Sequence, residues 1–295
     1  MKSLTDYKPY AVMYVDGMNL LSRSYYGMRD LAYKGRKTGM LYGVARLVLD
    51  WRNKNPGIEM VFLWEGEKSW RKAKYPIYKG QRHESKSPEE TKEFFECVER
   101  VRDSLPSMGV SQSRCDTYEA DDLAAFYAGI EKRKALFSSG DWDWWALADR
   151  GDILYQHSKV LNKEEMSSLF MNKYKTNPVP PNKLWLFKAL TGDPSDNLSG
   201  VPRFPKKIAS ELCNVKDIDE HNVVQHLHRI GKDDWAVKVR ENDWLFKRNV
   251  ELVKFSDVPS EKVERVPGAY SSEGFGDILI KSGMEGLYDR LKDGS

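Results

Sequence analysis

The chain has 295 residues and a mass of 34.1 kDa, enough for one large domain or two ordinary ones around a substantial apolar core. With 40% hydrophobic and 31% charged residues and no low-complexity tract, disorder and fibrous repeats are excluded as dominant states. The formal net charge is only +3, so a polyanionic partner requires a local basic patch.

Ala11 to Val15 is a continuous apolar run stopped by Asp16-Gly17, the pattern of a strand buried on both faces. Met40 to Trp51 places apolar residues at Leu41, Val44, Leu47, Val48 and Trp51, the spacing of an amphipathic helix. Met60 to Trp64 repeats the strand design and stops at Glu65-Gly66, so a strand, helix, strand unit with parallel strands is expected. Tyr118 to Glu131 is predicted helical, opening with Glu119, Asp121 and Asp122 at the positive end of the helix dipole. Ala135 to Ser138 is a third predicted strand and Ile153 to Gln156 a fourth. Three prolines between Asn172 and Pro181 suggest a linker, dividing the chain into residues 1–180 and a mainly helical 181–295. In the second region a tight hairpin is expected around Gly200 to Pro205, followed by a helix from about Lys206 with Ile208, Ala209 and Leu212 inward.

No apolar run approaches the ~18 residues of a membrane span. Met1-Lys2-Ser3-Leu4-Thr5-Asp6 also lacks the character of a signal peptide, so a soluble, cytoplasmic protein without a membrane partner is expected. Cys97, Cys115 and Cys213 are odd in number and far apart, which fits a reducing compartment and excludes a disulfide framework or zinc finger. His226-x-His228 has metal-like spacing but no further ligand nearby, and reads as surface.

Ligands of a parallel α/β sheet bind outside the carboxyl ends of its strands. Three predicted strands end there in acids: Asp16, then Glu65, then Asp141 with Asp143. Taken singly each reads as an ordinary turn former. Glu119, Asp121 and Asp122 add three more, with Glu119 and Asp122 on one helical face, and Asp193 and Asp196 complete a set of nine. Carboxylates gathered in one interior repel one another by several kcal/mol, so such a site requires hard cations. Oxygen-only ligands favour Mg²⁺, with Mn²⁺ able to substitute, and two such ions suit phosphodiester hydrolysis by water.

Between Lys68 and His83 lie Lys68, Arg71, Lys72, Lys74, Lys79 and Arg82 with no intervening acid, interleaved with Trp70, Tyr75 and Tyr78. Cations for phosphates and rings for unpaired bases suit a frayed or single-stranded nucleic acid; a solvated basic face with inward aromatics is the plainer alternative. Arg203, Lys206 and Lys207 around a helix start form a second phosphate-binding surface without base selectivity.

Together these pieces resemble the 5′ nuclease family, which includes flap endonucleases, the 5′ nuclease domain of bacterial DNA polymerase I, and the phage ribonuclease H and 5′→3′ exonuclease enzymes. The resemblance runs from about Ala11 to Leu212. Its motifs appear in order as Val15-Asp16-Gly17-x-Asn19-Leu20, Glu65 followed by Tyr78-Lys79-Gly80-Gln81-Arg82, Glu119-Ala120-Asp121-Asp122, Ser139-x-Asp141-x-Asp143, and Gly192-Asp193-x-x-Asp196-Asn197. The length and the Gly-Asp-Trp-Asp wording are most similar to the phage members. The resemblance implies a PIN-like parallel sheet flanked by helices, an arch in the 80s to 110s, and a C-terminal helix-three-turn-helix region that grips duplex DNA. It also implies metal ligation by all nine acids, with Asp16 and Asp141 central to catalysis, and scissile-phosphate contact by Lys79, Arg82 and, by position, Arg23. Three departures stand out. Glu65 replaces the usual Asp, the hairpin Gly200 to Lys207 has lost two glycines to Arg203 and Pro205, and Trp144-Trp145 follows the Asp pair.

The expected function is a Mg²⁺-dependent 5′→3′ exonuclease and flap endonuclease acting on branched or nicked duplex DNA and RNA primers, working as a monomer. By family analogy a single-strand-binding protein or clamp is a plausible partner. The rivals are a PIN-type ribonuclease, which would share Asp16, Glu119 and Asp141 but has no need of the basic segment, and a catalytically dead DNA-junction binder. The region from Asp217 to Ser295 carries no readable motif.

Overall fold

The computed structural model describes residues 10–80 and 87–293. Strand β1 (Val12–Asp16) is buried along its whole length, as its unbroken apolar run requires, and passes directly into helix α1 (Gly17–Gly27). Asp16 caps that helix: its Oδ1 accepts from the Asn19 backbone N–H at 3.0 Å. A two-residue-per-strand hairpin, β2 (Ala32–Tyr33) and β3 (Arg36–Lys37), leads to α2 (Gly39–Lys54), whose Val44, Ala45, Leu47, Val48 and Trp51 turn inward as the periodicity predicts. Next come β4 (Glu59–Trp64), the short α3 (Trp70–Lys74) and α4 (Pro88–Ser104), a single helix with Phe94, Cys97, Val98 and Val101 buried. The series β5 (Val110–Arg114), α5 (Ala120–Ile130), β6 (Ala135–Ser139), β7 (Asp152–Tyr155) and β8 (Lys159–Leu161) completes the main layer.

The sheet order is β11-β5-β4-β1-β6-β7-β8, where β11 is Glu264–Val266. The five strands from β5 to β7 are parallel, and the two edges, β11 on β5 and β8 on β7, are antiparallel. Helices cover both faces, so the mixed α/β, PIN-like expectation holds. The carboxyl ends of β1, β4 and β6 lie side by side, with Asp16 in register with Leu63. That juxtaposition gathers the strand-end acids.

The second half departs from the sequence reading in three places. Helix α6 (Lys163–Tyr174) runs into the expected linker and ends on Lys175 at φ 56°, so only the Pro-rich stretch from about 176 to 180 is irregular. Between α7 (Leu184–Thr191) and α8 (Lys206–Cys213) the hairpin forms earlier than expected, pairing β9 (Gly192–Asp193) with β10 (Leu198–Ser199). Gly200 to Pro205 instead forms a turn in which the Phe204 N–H donates to the Val201 carbonyl at 3.0 Å. Helices α9 (Val223–Arg229), α10 (Asp233–Glu241) and α11 (Asp243–Val253) follow, and then the chain returns to the first layer. There β11 extends the sheet, and α12 (Ser272–Lys281) and α13 (Glu285–Asp293) bury Phe275, Leu279, Leu287 and Leu291 in the cluster that holds Val44 and Val48 of α2.

Trp144 and Trp145, unexplained in the sequence, are wholly buried on opposite sides of one short 3₁₀ turn. Trp144 packs with Phe137 against the sheet, whereas Trp145 packs with Phe170 of α6 in the cluster shared by α7 and α8. They join the sheet to the helical second half, and truncating either to Ala would cost roughly 3–5 kcal/mol. No helix among the described residues is long and apolar enough to cross a membrane.

Candidate active site

Asp16 ends β1 with its Oδ2 accepting from the Ser139 hydroxyl at 2.7 Å, and Ser139 Oγ in turn accepts from the Asp141 N–H at 2.9 Å. Strand β6 has ended by Ser139, which frees Asp141 and Asp143 to turn to the same side. The Asp143 N–H donates to Asp141 Oδ1 at 3.0 Å and fixes that bend. Asp121, on the first turn of α5, is oriented by the Trp144 indole N–H at 2.6 Å. These acids crowd one another. Burial, with the charges of Asp141 and Glu65 adding to it, raises the Asp16 pKa to about 7 against its hydrogen bonds from Ser139 and Asn19. Burial and Asp141 likewise push Asp121 well above the carboxylate range. Glu65 is exposed at the rim.

A second group lies beside the first. Oxygen atoms of Asp143, Asp193 and Asp196 come within 4.8 Å of one another, a spacing that suits a shared cation. Between them stands Lys188, which sequence reasoning missed. Its Nζ lies 2.6 Å from Asp193 Oδ2 and also bonds Asp143. Burial works against a charged Lys188, but Asp143 and Asp193 hold it protonated well beyond its usual range. Burial lifts Asp143 to about 6 even with that partner, while Lys188 keeps Asp193 below its ordinary value despite burial. The signal was present as one cation in the otherwise apolar helix Leu184-Trp185-Leu186-Phe187-Lys188-Ala189-Leu190.

Lys79 enters from the third side. It is 5% exposed, its Nζ lies 3.0 Å from Glu119 Oε1, and its backbone N–H donates to the Asp196 carbonyl at 3.0 Å. The neighbouring Tyr78 hydroxyl reaches Glu119 Oε2 at 3.1 Å and Asp196 Oδ2 at 3.3 Å, joining the α5 acids to the β9–β10 turn.

Three of the expected site residues are engaged inside the protein. Asp122 is wholly buried, its oxygens accept from both terminal nitrogens of Arg71 at 2.6 and 2.8 Å, and the Glu119 and Ser256 N–H groups add to them. The Arg71 guanidinium is taken up by Asp122, Glu119 and the Leu252 and Lys254 carbonyls in the interior. The Tyr78 ring is buried with Leu198 and Leu252. The face shared by Glu119 and Asp122 was read correctly, but it faces Arg71.

The remaining cations stay at the surface. Lys68, Lys72 and Lys74 are exposed, Lys74 paired with Glu251, as are Arg203, Lys206 and Lys207 at the turn into α8. Exposed Arg23 on α1 bonds the Gln156 side chain. Arg82 lies outside the described residues.

Residues 11–175 match the model of the 5′-3′ exonuclease N-terminal, resolvase-like domain. The chain belongs to this 5′-3′ exonuclease family. A 5′-3′ exonuclease of Mycoplasmopsis pulmonis is 26% identical over 202 residues, covering 68% of this chain and 65% of that protein. The thermostable DNA polymerase I of Thermus thermophilus is 27% identical over 293 residues, which is 96% of this chain and 32% of the polymerase. The chain thus spans about a third of the length of the polymerases it matches. Among solved structures, bacteriophage T5 5′-exonuclease with bound zinc aligns with a TM-score of 0.63 at 21% identity, covering 96% of this chain and 97% of that one. Flap endonuclease-1 from Methanococcus jannaschii aligns with a TM-score of 0.63 at 15% identity, over 99% and 93%. The fold is therefore that of the flap endonucleases.

Proposed function

We propose that this protein is a Mg²⁺-dependent 5′→3′ exonuclease and flap endonuclease that removes RNA primers, overhangs and flaps from nicked or branched duplex DNA. The observation that carries the reading is the meeting, at one sheet edge, of carboxylates from separate elements with too little positive charge to balance them. An all-oxygen donor set in which Asp16, Asp121 and Asp143 are driven toward protonation fits hard divalent cations. Asp16, Glu65, Glu119, Asp121 and Asp141 would hold one Mg²⁺, and Asp143, Asp193 and Asp196 a more distant one, with Mn²⁺ able to substitute. Bound there, the cations supply Lewis-acid activation of water and charge stabilisation at the scissile phosphate.

The chain's own residues do the rest. Ser139 and the Asn19 N–H hold both oxygens of Asp16, and Trp144 fixes Asp121, so the acids are placed before substrate arrives. Lys79 is held on Glu119 at the wall of the site, where its charge is available to a phosphate oxygen as negative charge builds. Arg82, three positions on, would join it. Lys188 holds Asp143 and Asp193 together across the second group. Arg23, Lys68, Lys72 and Lys74 would grip backbone phosphates near the site, and Arg203, Lys206 and Lys207 the duplex. A monomer suffices for this arrangement, in the cytoplasm where DNA replicates, with a single-strand-binding protein or clamp as partner.

The test is cleavage of 5′-labelled flap, nicked duplex and single-stranded RNA, each in Mg²⁺ and in EDTA. Mg²⁺-dependent cutting of the flap and nicked substrates supports the reading. Cutting of RNA alone would make the protein a PIN-type ribonuclease, and tight junction binding without cutting a structural DNA-junction binder.

A further inference from the structure

The turn joining β7 to β8 holds its two central residues in the left-handed region, Gln156 at φ 51° and His157 at φ 56°. The Ser158 N–H closes it on the Tyr155 carbonyl at 3.2 Å. A turn with both central residues at positive φ favours Asn-Gly, because a β-carbon there is crowded. Gln is uncommon at positive φ and His less so, and here both side chains are engaged away from the turn.

Both side chains reach the same helix. His157 is buried, with Nδ1 2.8 Å from Ser138 Oγ and Nε2 3.0 Å from Asn19 Oδ1. Gln156 Oε1 accepts from Arg23 Nη2 at 3.3 Å. Asn19 and Arg23 are four residues apart, hence neighbours on one face of α1. Burial, with the Arg23 charge adding to it, lowers the His157 pKa to about 3, so the ring is neutral at working pH and carries one N–H. Asn19 Oδ1 already accepts from the Gly140 N–H at 2.9 Å. The consistent assignment has Nε2–H donating to that same oxygen and Ser138 donating to Nδ1. Two donors then pin the Asn19 carbonyl, and its NH₂ group has no partner among the described residues. This amide stands between the residues that fix the acids: the Asn19 N–H caps Asp16, and Gly140 precedes Asp141.

We infer that Gln156 and His157 are positioning residues, a turn that clamps α1 so that the Asn19 amide and the Arg23 guanidinium are presented together as phosphate donors beside Asp16 and Asp141. The inference rests on the nuclease reading and adds to it a neutral donor and the device that orients it. The turn is also tied to the end of β6, because the Gln156 N–H donates to the Ser139 carbonyl at 3.0 Å, a backbone bond that needs neither side chain of the turn.

Two mutant cycles test it, read by turnover and KM on a 5′-flap duplex in Mg²⁺ and by Kd for the same DNA in EDTA. His157→Asn keeps a residue that tolerates positive φ but cannot span to Asn19. It should lower kcat about tenfold with KM within about twofold, and the double variant with Asn19→Ala should be no worse than Asn19→Ala alone. Gln156→Gly relaxes the turn, so its thermal stability should equal or exceed wild type, yet it should weaken EDTA binding about threefold and add nothing to Arg23→Ala. Additive losses in the cycles, or wild-type behaviour of both hairpin variants, would overturn the inference. Should His157→Asn fail to fold, the Gln156 cycle alone decides. If wild-type protein leaves the flap uncut in Mg²⁺, the nuclease reading falls, while the EDTA binding cycle still decides whether the turn acts through Arg23.

Discussion

Asp121 and Asp122 are adjacent and carry the same group, yet the first turn of α5 sends them to opposite environments. Asp121 points to the sheet edge, where the charges of Asp141, Asp143 and Asp16 outweigh that of Lys79 and the Trp144 indole N–H donates to it. Asp122 points to the basic segment, where Arg71 meets it with two hydrogen bonds inside the protein. One face accumulates charge that a cation can discharge, and the other has discharged it internally. Counting acids in a motif does not separate the two; what lies across from each carboxylate does.

Substitution to the amide should break the symmetry between the faces most sharply. Asp141→Asn is expected to lower kcat on a flap duplex by on the order of a thousandfold with binding within a few fold, because only the cation-loaded state needs that charge. Substantial residual turnover in Mg²⁺ would remove Asp141 from the ligand set. Asp122→Asn should act on the fold instead. It strips the main partner from a buried guanidinium, so urea denaturation should show a loss of about 3 kcal/mol, softened by Glu119 at 3.3 Å from Arg71. If that variant kept its stability and lost Mg²⁺ binding, Asp122 would return to the metal site.

A smaller effect sharpens the same contrast through pH. Burial pushes Asp16 up to about 7 and Asp143 up to about 6, above the usual carboxylate range, and a cation binds only their ionised forms. Protons therefore compete increasingly as pH falls through those values, and Asp121, also pushed up, adds to the competition. The Mg²⁺ concentration for half-maximal cleavage should climb as pH falls from 8 toward 6, by up to about tenfold per unit. Glu119, held below its ordinary value by Lys79 and Arg71 despite burial, should contribute nothing to that rise. A requirement unchanged from pH 8 to 6 would mean that these acids do not hold the ion.

The smallest effect belongs to the turn before α8, which bears cations and no acid. Arg203 sits at φ 59°, exposed, and Pro205 removes a backbone donor. Exchanging K⁺ for Na⁺ at constant ionic strength should leave duplex binding unchanged, and Arg203→Ala should shallow its salt slope by about one unit. Strong K⁺ preference, or an unchanged slope, would take the phosphate contact from Arg203, the former outcome giving it to a K⁺ ion held by backbone carbonyls.

The parallel strands and their terminal acids were legible because a doubly buried strand needs an unbroken apolar run, and such a run must stop at a polar turn. Helix α2 was legible from its spacing. What escaped the sequence depends on partners far along the chain. Arg71 reads as one more cation in a basic run until α11 and α5 close around it, and Tyr78 as one more exposed ring until Leu252 covers it. Lys188 is hidden by its apolar neighbours, and Trp144 gave no hint that its indole orients Asp121. Strand β11 has too few residues and too polar a pattern to announce itself; only its pairing with β5 defines it.

The return of α12 and α13 onto α2 bears on how the chain is made. The stretch that carries the family signature ends at residue 175, but the apolar face of its helical layer is covered by Phe275, Leu279, Met284, Leu287 and Leu291. During synthesis the first part of the protein emerges roughly a hundred residues before its cover, a delay of about ten seconds at ordinary translation rates. For that interval the nascent chain displays the part of this apolar layer that α12 and α13 later cover, a patch that a holdase chaperone would bind and that a shortened gene product would keep.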